Sequence, residues 1–359
     1  MKLSGASLRT LVICGAGATR GAIKPVRINK KRIKAPLNAD FFTILEAFQR
    51  AHKEDDKTLV QRIDRLQEVI ASDLPKTRGE KRQPTMEDVF SLLYVTQNLR
   101  SIFSKRKGPK RKSSKKGRKE IEDFLEVTCR LLADIQDAAR GKTNRYDDLV
   151  HYLEDGDSIV TLNYDNLLDT ALTKRGWKPS SGYGFKVSEK KLKWRPTDAG
   201  KLDVSLLKLH GSLNWFAKGS YSKPSAIFEK KPSLITDPSK VRGSSGHIRQ
   251  IVPPVYGKTF AHSHWDSLWN AGFKEAQEAE RLIIIGCSLV STDFHLSGVL
   301  YKAIARRKKA GAPFKEVIIV NGRKKGKCRW RLLVRGCTEK DPRYYPTFEN
   351  FCASQSSRR

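Results

Sequence analysis

No two of the six cysteines in this 359-residue chain form a C-x-x-C pair. That spacing rules out a zinc ribbon and a thioredoxin-type redox motif. Scattered, unpaired cysteines predict a reducing compartment, and Cys14 and Cys287, set in apolar runs, predict buried thiols. The longest apolar run, LIIIGCSLV at 282–290, falls far short of the roughly 20 residues that span a bilayer. The N-terminal stretch LRTLVICGAGA has only LVIC as an apolar centre. Arg9 interrupts it, and Ile13 stands where a lipoprotein cleavage site before Cys14 needs a small residue. Export is therefore rejected, with a cytoplasmic location and no membrane partner expected. A G-x-x-x-x-G-K-[ST] loop and a Ser-His-Asp signature are also absent.

Acid is scarce relative to base. Lys and Arg number 70 against 38 Asp and Glu, a formal net charge of +32. The mean hydropathy of −0.53 belongs to a soluble chain with a highly charged surface. Such a balance favours polyanions such as nucleic acid, and equally suits a solvated basic surface. The charge is concentrated in three places. KRKGPKRKSSKKGRK at 105–119 holds ten basic residues and no acid, and reads as a disordered loop. IKPVRINKKRIK at 23–34 is the second. The third runs from RRKK at 306–309 to GRKKGKCRWR at 322–331.

Apolar patterning divides the chain. LRTLVIC at 8–14 reads as a buried strand. DFFTILEAFQRA at 40–51 predicts a helix capped by Asp40, TMEDVFSLLYVTQNL at 85–99 a helix with Thr85 and Asp88 as capping pair, and 120–140 a long Leu-faced helix. Residues 40–150 are thus mainly helical. Short, nearly continuous Val/Ile/Leu runs then follow at 158–163, 205–211, 281–289 and 316–322, the later ones separated by helices. That pattern predicts an α/β fold with a parallel sheet covered on both faces. Ligands of such sheets bind outside the carboxyl ends of the strands. The five ends carry Gly15-Ala16-Gly17, Asn163, His210-Gly211, Gly286-Cys287-Ser288 and Asn321-Gly322.

Two of these ends suggest chemistry. GAGATRGA at 15–22 is a tight glycine turn from strand to helix, suited to backbone approach by a pyrophosphate. It is not G-x-G-x-x-G, and no acidic residue follows at the ribose distance of a dehydrogenase fingerprint. Asn163-Tyr164-Asp165 forms the next corner, where helix capping is the simpler reading for a lone amide or carboxylate. His210, facing Asn163 across the same edge, supplies a group that titrates near neutrality. Amide, imidazole and glycine loop together suit attack at a ribosyl C1′.

The segments GAGATRGA, TLNYDNLLD, LLKLHGSLNW, IVPPVYGK, LIIIGCSLVSTD and VIIVNG, in this order over residues 11–322, resemble the sirtuin-like (silent-information-regulator-like) NAD-consuming domains. The nearest branch is the prokaryotic one of anti-phage defence systems. The resemblance implies a single domain over 1–359, built on a Rossmann-like parallel sheet with helices on both faces and a helical insertion at 40–150. It implies Asn163 and His210 as catalytic residues. Gly15, Ala16, Gly17 and Ala18 match the pyrophosphate loop, closed by Thr19. Gly286 and Ser288 match a phosphate and ribose loop, and Asn321 an adenosine-ribose contact. Asp165 and Asp293 match family positions, Asp165 on the cofactor side, with helix capping as the role their positions suggest.

The departures from the family are informative. Protein-deacylating sirtuins carry two C-x-x-C pairs around a structural zinc, and this chain has none. The Pro-Asp-Phe-Arg stretch of the family is missing, with APLNADFF at 35–42 in the equivalent region. Without the zinc module and its peptide cleft, water becomes the acceptor. The reading is an NAD+ glycohydrolase that releases nicotinamide and ADP-ribose and acts in defence by depleting NAD, with no metal required. Expected partners are NAD, a nucleic-acid or phage-derived trigger at the basic surfaces, and a second copy or co-encoded protein. Alternatives are a non-catalytic NAD or ADP-ribose sensor, a nucleic-acid-docking module, and a deacylase or ADP-ribosyltransferase. HSHWD at 262–266 reads as the start of a helix bearing Trp265 and Trp269 rather than as metal ligands.

Overall fold

The computed structural model describes residues 8–73, 84–103, 113–188, 192–193, 202–219, 231–238, 246–252, 263–289, 294–322 and 324–356. The chain opens with β1 (Thr10–Cys14), all five residues buried, and turns at once into α1 (Ala16–Ala22). A two-stranded antiparallel hairpin follows, β2 (Val26–Ile28) and β3 (Lys31–Ile33). Its turn residues Asn29 and Lys30 have φ of 41° and 67°, the left-handed pair that matches strand twist in a two-residue hairpin. A 3-10 turn at Asn38–Asp40 leads to α2 (Phe41–His52), α3 (Lys57–Asp73), α4 (Met86–Phe103), α5 (Ser113–Ala139) and α6 (Arg145–Tyr152).

Thr85 and Asp88 cap α4 reciprocally, as the sequence predicts. The Thr85 N–H donates to Asp88 Oδ2 at 2.8 Å, and the Asp88 N–H donates to Thr85 Oγ1 at 3.2 Å. Two expectations change. Asp40 precedes α2 but makes no side-chain cap. Its carboxylate instead accepts the Leu37 N–H at 2.7 Å and the Arg20 guanidinium at 2.6 Å. And α5 begins at Ser113, so residues 113–119 of the expected loop are helical. Lys and Arg are good helix formers, and a turn added to an existing helix escapes the nucleation cost. Residues 104–112 lie outside the described residues.

The second half comprises β4 (Ser158–Thr161), α7 (Leu167–Thr173), α8 (Pro179–Gly182), β5 (Leu192–Lys193), β6 (Ser205–Lys208), β7 (Gly211–Lys218), β8 (Leu234–Thr236) and β9 (His247–Ile251). It continues with α9 (Ser263–Glu278), β10 (Arg281–Ile285), α10 (Phe294–Lys309), β11 (Glu316–Val320), α11 (Lys324–Val334), β12 (Arg343–Tyr345) and α12 (Phe348–Ser356). Six strands form the main sheet in the order β12-β11-β10-β1-β4-β6, every neighbouring pair parallel. Numbered by their succession in the chain, they run 6-5-4-1-2-3, the Rossmann-type order. From β1 the sheet grows one way through β4 and β6, and from β10 the other way through β11 and β12. Right-handed crossovers in opposite directions place helices on opposite faces. Accordingly α1, α6, α7 and α12 pack in one group, and α9, α10 and α11 in another.

Burial explains the composition of the strands. β4 is wholly buried, and β10 and β11 are buried in four of five positions, so both faces call for Val, Ile and Leu. A smaller sheet, β5-β8-β7-β9, takes β5 from before β6 in the chain and its other strands from after it. It corrects the reading of 205–211 as one strand: β6 stops at Lys208, and Gly211 already belongs to β7. His210 thereby falls in the turn between two sheets. Gly211 makes that turn with φ of 82°, and a Cβ there would sit 2.0 Å from the Gln250 carbonyl oxygen.

Candidate active site at the strand crossover

Because the main sheet is parallel, its carboxyl ends share one edge. At the crossover, where β1 pairs β10 but the two halves of the sheet diverge, the exits of both strands interlock. The Gly15 N–H donates to Ile285 O at 3.1 Å and the Gly17 N–H to Gly286 O at 3.0 Å. A Cβ on Gly15 would meet Gly286 O at 2.8 Å, and one on Gly17 would meet it at 2.7 Å. Gly286 has φ of 58°, and its Cβ would lie 2.0 Å from Ala18 N. These glycines are required by backbone packing as well as by any ligand.

A cavity of about 620 Å³ opens over this crossover, within the range of small-molecule sites. Gly15, Ala16, Gly17, Thr19, Asn163, Asp165, His210, Gly286, Ser288 and Asn321 all line it. Ala18 does not. It is fully buried, and its N–H is spent on Gly15 O at 2.8 Å. Asp293 and the IVPPVYGK residues from Pro253 on lie outside the described residues. Further wall comes from Pro36, Leu37 and Phe41, from Met86, and from Pro346 and Phe348 near the C-terminus. Arg20 holds the 35–40 wall, donating to Ala35 O and to Asp40.

The Asn163 side chain has a defined orientation. Its Nδ2 donates to Gly15 O and to Thr19 Oγ1, both at 2.9 Å, with Tyr146 Oη at 3.4 Å. A backbone carbonyl only accepts, so the NH₂ must face it and Oδ1 is left for the cavity. The Thr19 hydroxyl donates to Asp165 Oδ2 at 2.7 Å. With its one proton committed there, Thr19 accepts from Tyr146, 3.0 Å away. Asp165 Oδ1 also accepts the Leu167 N–H at 3.2 Å, so it caps the start of α7, as expected, and anchors Thr19. Burial pushes the Asp165 carboxyl up from its ordinary range, with Lys208 opposing. Burial, with the Asp165 charge adding, pushes the Tyr146 phenol well up.

Behind this layer lies a buried polar network not anticipated from the sequence. Lys208 Nζ reaches Asp169 Oδ2 at 2.8 Å, both side chains essentially without exposure, and donates to Asp165 O at 2.6 Å. Asp169 Oδ1 accepts from Tyr183 Oη at 2.5 Å. Asn166 donates to Ser212 Oγ at 2.6 Å and Asn214 Oδ1 at 2.9 Å. The polar residues of NYDNLLD and KLHGSLNW thus wire α7 to β6 and β7. The available signal was Lys208, a charge inside the apolar run LLKL. On the other side, Asn321 donates to Cys287 O at 3.1 Å and Trp330 to the same oxygen at 2.7 Å, fixing the Gly286–Ser288 turn. His210 is buried, its ring 6.4 Å from those of both Tyr164 and Trp269.

The remaining sequence candidates take structural places. Cys14 and Cys287 are buried and in no disulfide. Trp265 and Trp269 are buried on α9. His264 sits 4.5 Å from the Trp265 ring, and burial lowers its pKa to about 4. His262 lies outside the described residues.

Residues 157–333 match the family model of the SIR2-like domain. No curated protein matches the sequence. Among solved structures, a Sir2 in complex with an inhibitor, 2′-O-acetyl-ADP-ribose and a deacetylated peptide shares 11% identity, with 98% of this chain and 93% of that one covered and a TM-score of 0.34. A triple mutant of a Sir2 homologue with 2′-O-acetyl-ADP-ribose shares 15%, covering 63% and 76%, at 0.33. A Sir2 homologue mutant with ADP-ribose shares 13%, covering 66% and 82%, at 0.31. Over residues 157–333, just under half of its length, the chain is sirtuin-like, matching the SIR2-like domain on its Rossmann-type sheet.

Proposed function

We propose that this protein is an NAD+ glycohydrolase that splits NAD into nicotinamide and ADP-ribose. The observation that carries the reading is the meeting of Asn163 and His210 in one cavity over the glycine-lined crossover of the sheet. The crevice at such a crossover is where dinucleotides lie on Rossmann-type sheets. Ala16 and Ser288 border the pyrophosphate side, and Asn321 holds the turn that borders the adenosine side. Asn163 Oδ1, left over once the amide NH₂ is committed, accepts from a ribose hydroxyl or from water.

The reaction breaks the C1′–N bond. The pyridinium nitrogen takes the bonding pair and leaves as neutral nicotinamide, so no strong general acid is needed. Water adds its oxygen to C1′, and His210 accepts the proton released. The Asn163 oxygen faces the oxocarbenium-like centre and stabilises it. Such an activity depletes cellular NAD and must be restrained at rest. Anti-phage defence in the cytoplasm, with release by a phage-derived trigger, self-assembly or a co-encoded partner, is the use proposed for it.

Turnover of NAD in ¹⁸O-water tests the reading. Nicotinamide release matched one-to-one by ADP-ribose labelled at C1′ is the expected result. Nicotinamide with unlabelled, acceptor-bound ADP-ribose would assign a transferase. NAD binding with no nicotinamide release, in the presence of any co-encoded partner, would assign a sensor.

A further inference from the structure

Apart from Val320, Asn321 and Gly322, no described residue of the third basic stretch lines the cavity over the crossover. Between residues 294 and 345, from α10 to β12, the sequence holds fifteen Lys and Arg and three acids, Glu316, Glu339 and Asp341. Glu316 is committed to Arg281 and Arg343. Several of these cations have structural roles, Lys315 through its ion pair with Glu280 among them. Arg307 is buried over the Phe314 ring at 3.9 Å, Arg306 lies over Phe273 at 4.8 Å, and Arg329 donates to Leu289 O at 3.1 Å. Lys302, Lys308, Lys309, Arg331 and Arg335 are exposed and make no ion pair among the described residues. Elsewhere Arg62 and Arg65 are paired with Asp123, and Arg130 with Asp134 and Asp56. Unneutralised like charge on adjoining helices is unfavourable unless an anion completes it.

The same surface exposes two tyrosine rings and a leucine. Tyr301 on α10 is 60% exposed, Leu332 on α11 is 67% exposed, and Tyr344 on the edge strand β12 is 40% exposed. The surface is continuous. α10 packs on α11, Lys308 Nζ lies 3.8 Å from where a Cβ on Gly336 would stand, and Arg331 interacts electrostatically with Tyr344. Tyr301 and Lys302 are both exposed on α10, with Lys308 and Lys309 exposed further along the same helix. Cations that track a phosphate backbone, interleaved with faces on which bases stack, form the recognition chemistry of single strands.

We propose that the α10–α11–β12 surface binds single-stranded nucleic acid through Lys302, Arg331 and Arg335 to phosphates and Tyr301 and Tyr344 to bases. This site is separate from the proposed NAD site and does not depend on that reading.

Fluorescence anisotropy with a mixed-sequence single strand of about 20 nucleotides, titrated between about 50 and 200 mM salt, tests it. The combined variant Lys302→Glu, Arg331→Glu, Arg335→Glu is expected to bind at least about ten-fold more weakly. Its log–log salt slope should be shallower by about 2, three phosphate contacts at roughly 0.7 each. Tyr301→Ala with Tyr344→Ala is expected to lose roughly ten-fold with the slope unchanged. The matched control reverses Arg27, Lys31 and Arg32, exposed on the β2–β3 hairpin, and should leave both quantities unchanged. All variants are expected to melt with the wild type. Equal loss in the hairpin control would reduce the effect to bulk charge and overturn the assignment. So would full binding by the tyrosine variant, or binding to anionic phospholipid vesicles without binding to the oligonucleotide.

Discussion

Asn163 sits where three donors and acceptors decide which of its atoms a substrate meets. Gly15 O and Thr19 Oγ1 hold the NH₂, and Tyr146 and Asp165 hold Thr19. Removing the Tyr146 hydroxyl leaves Thr19 short of a donor and loosens the amide without touching the substrate. Tyr146→Phe is expected to lower kcat for nicotinamide release by about ten-fold with KM for NAD nearly unchanged. A change confined to KM would contradict that positioning role. Gly286 is fixed more severely, since a Cβ meets Ala18 N at 2.0 Å with φ at 58°. Gly286→Ala is expected to cost about 2 kcal/mol or more in urea denaturation. At this scale the sequence revealed Asn163, His210 and the glycines because they stand at strand ends. Tyr146 was hidden, because nothing near residue 146 in the sequence marks its approach to Thr19 across the fold.

Between elements, the Lys208–Asp169 pair ties β6 to α7 beneath the site. Losing one partner of a buried pair leaves an uncompensated charge. Lys208→Met is therefore expected to destabilise by about 3–5 kcal/mol. Adding Asp169→Leu should recover part of that, read as non-additivity in a double-mutant cycle. The parallel strands were legible because burial on both faces demands unbroken Val/Ile/Leu. β12 was not, since an edge strand of sequence RYY carries no such run. β7 was not either: GSLNWFAK is buried over seven of its eight residues, and its polar residues Ser212 and Asn214 satisfy one another inside the core. α12 escaped notice although Phe348 and Phe351 pack on α6 through Tyr146 and Tyr152.

For the whole molecule, acid stability has a definite sign. His264 is buried neutral with a folded pKa of about 4, against about 6.5 when unfolded. The unfolded state binds more protons between these values, so stability falls as pH drops from about 6.5 towards 4. The loss is of order 3 kcal/mol. Asp165 and Asp157, raised by burial, contribute with the opposite sign above about pH 4. The comparison of wild type with His264→Leu isolates the histidine. A stability difference between the two that stays flat across this window would contradict its burial as the neutral form.

The six-stranded order brings Asn163 and His210 to one cavity from strands that are distant in the chain, and cleavage of NAD there is the central claim. Nicotinamide release by wild type, His210→Ala and Asn163→Ala protein, with NAD affinity measured alongside, tests it most directly. The expected result is release by wild type and a loss of about 10²–10⁴-fold or more in each variant, with NAD still bound and the melting temperature retained. Unchanged release by both folded variants would contradict the account.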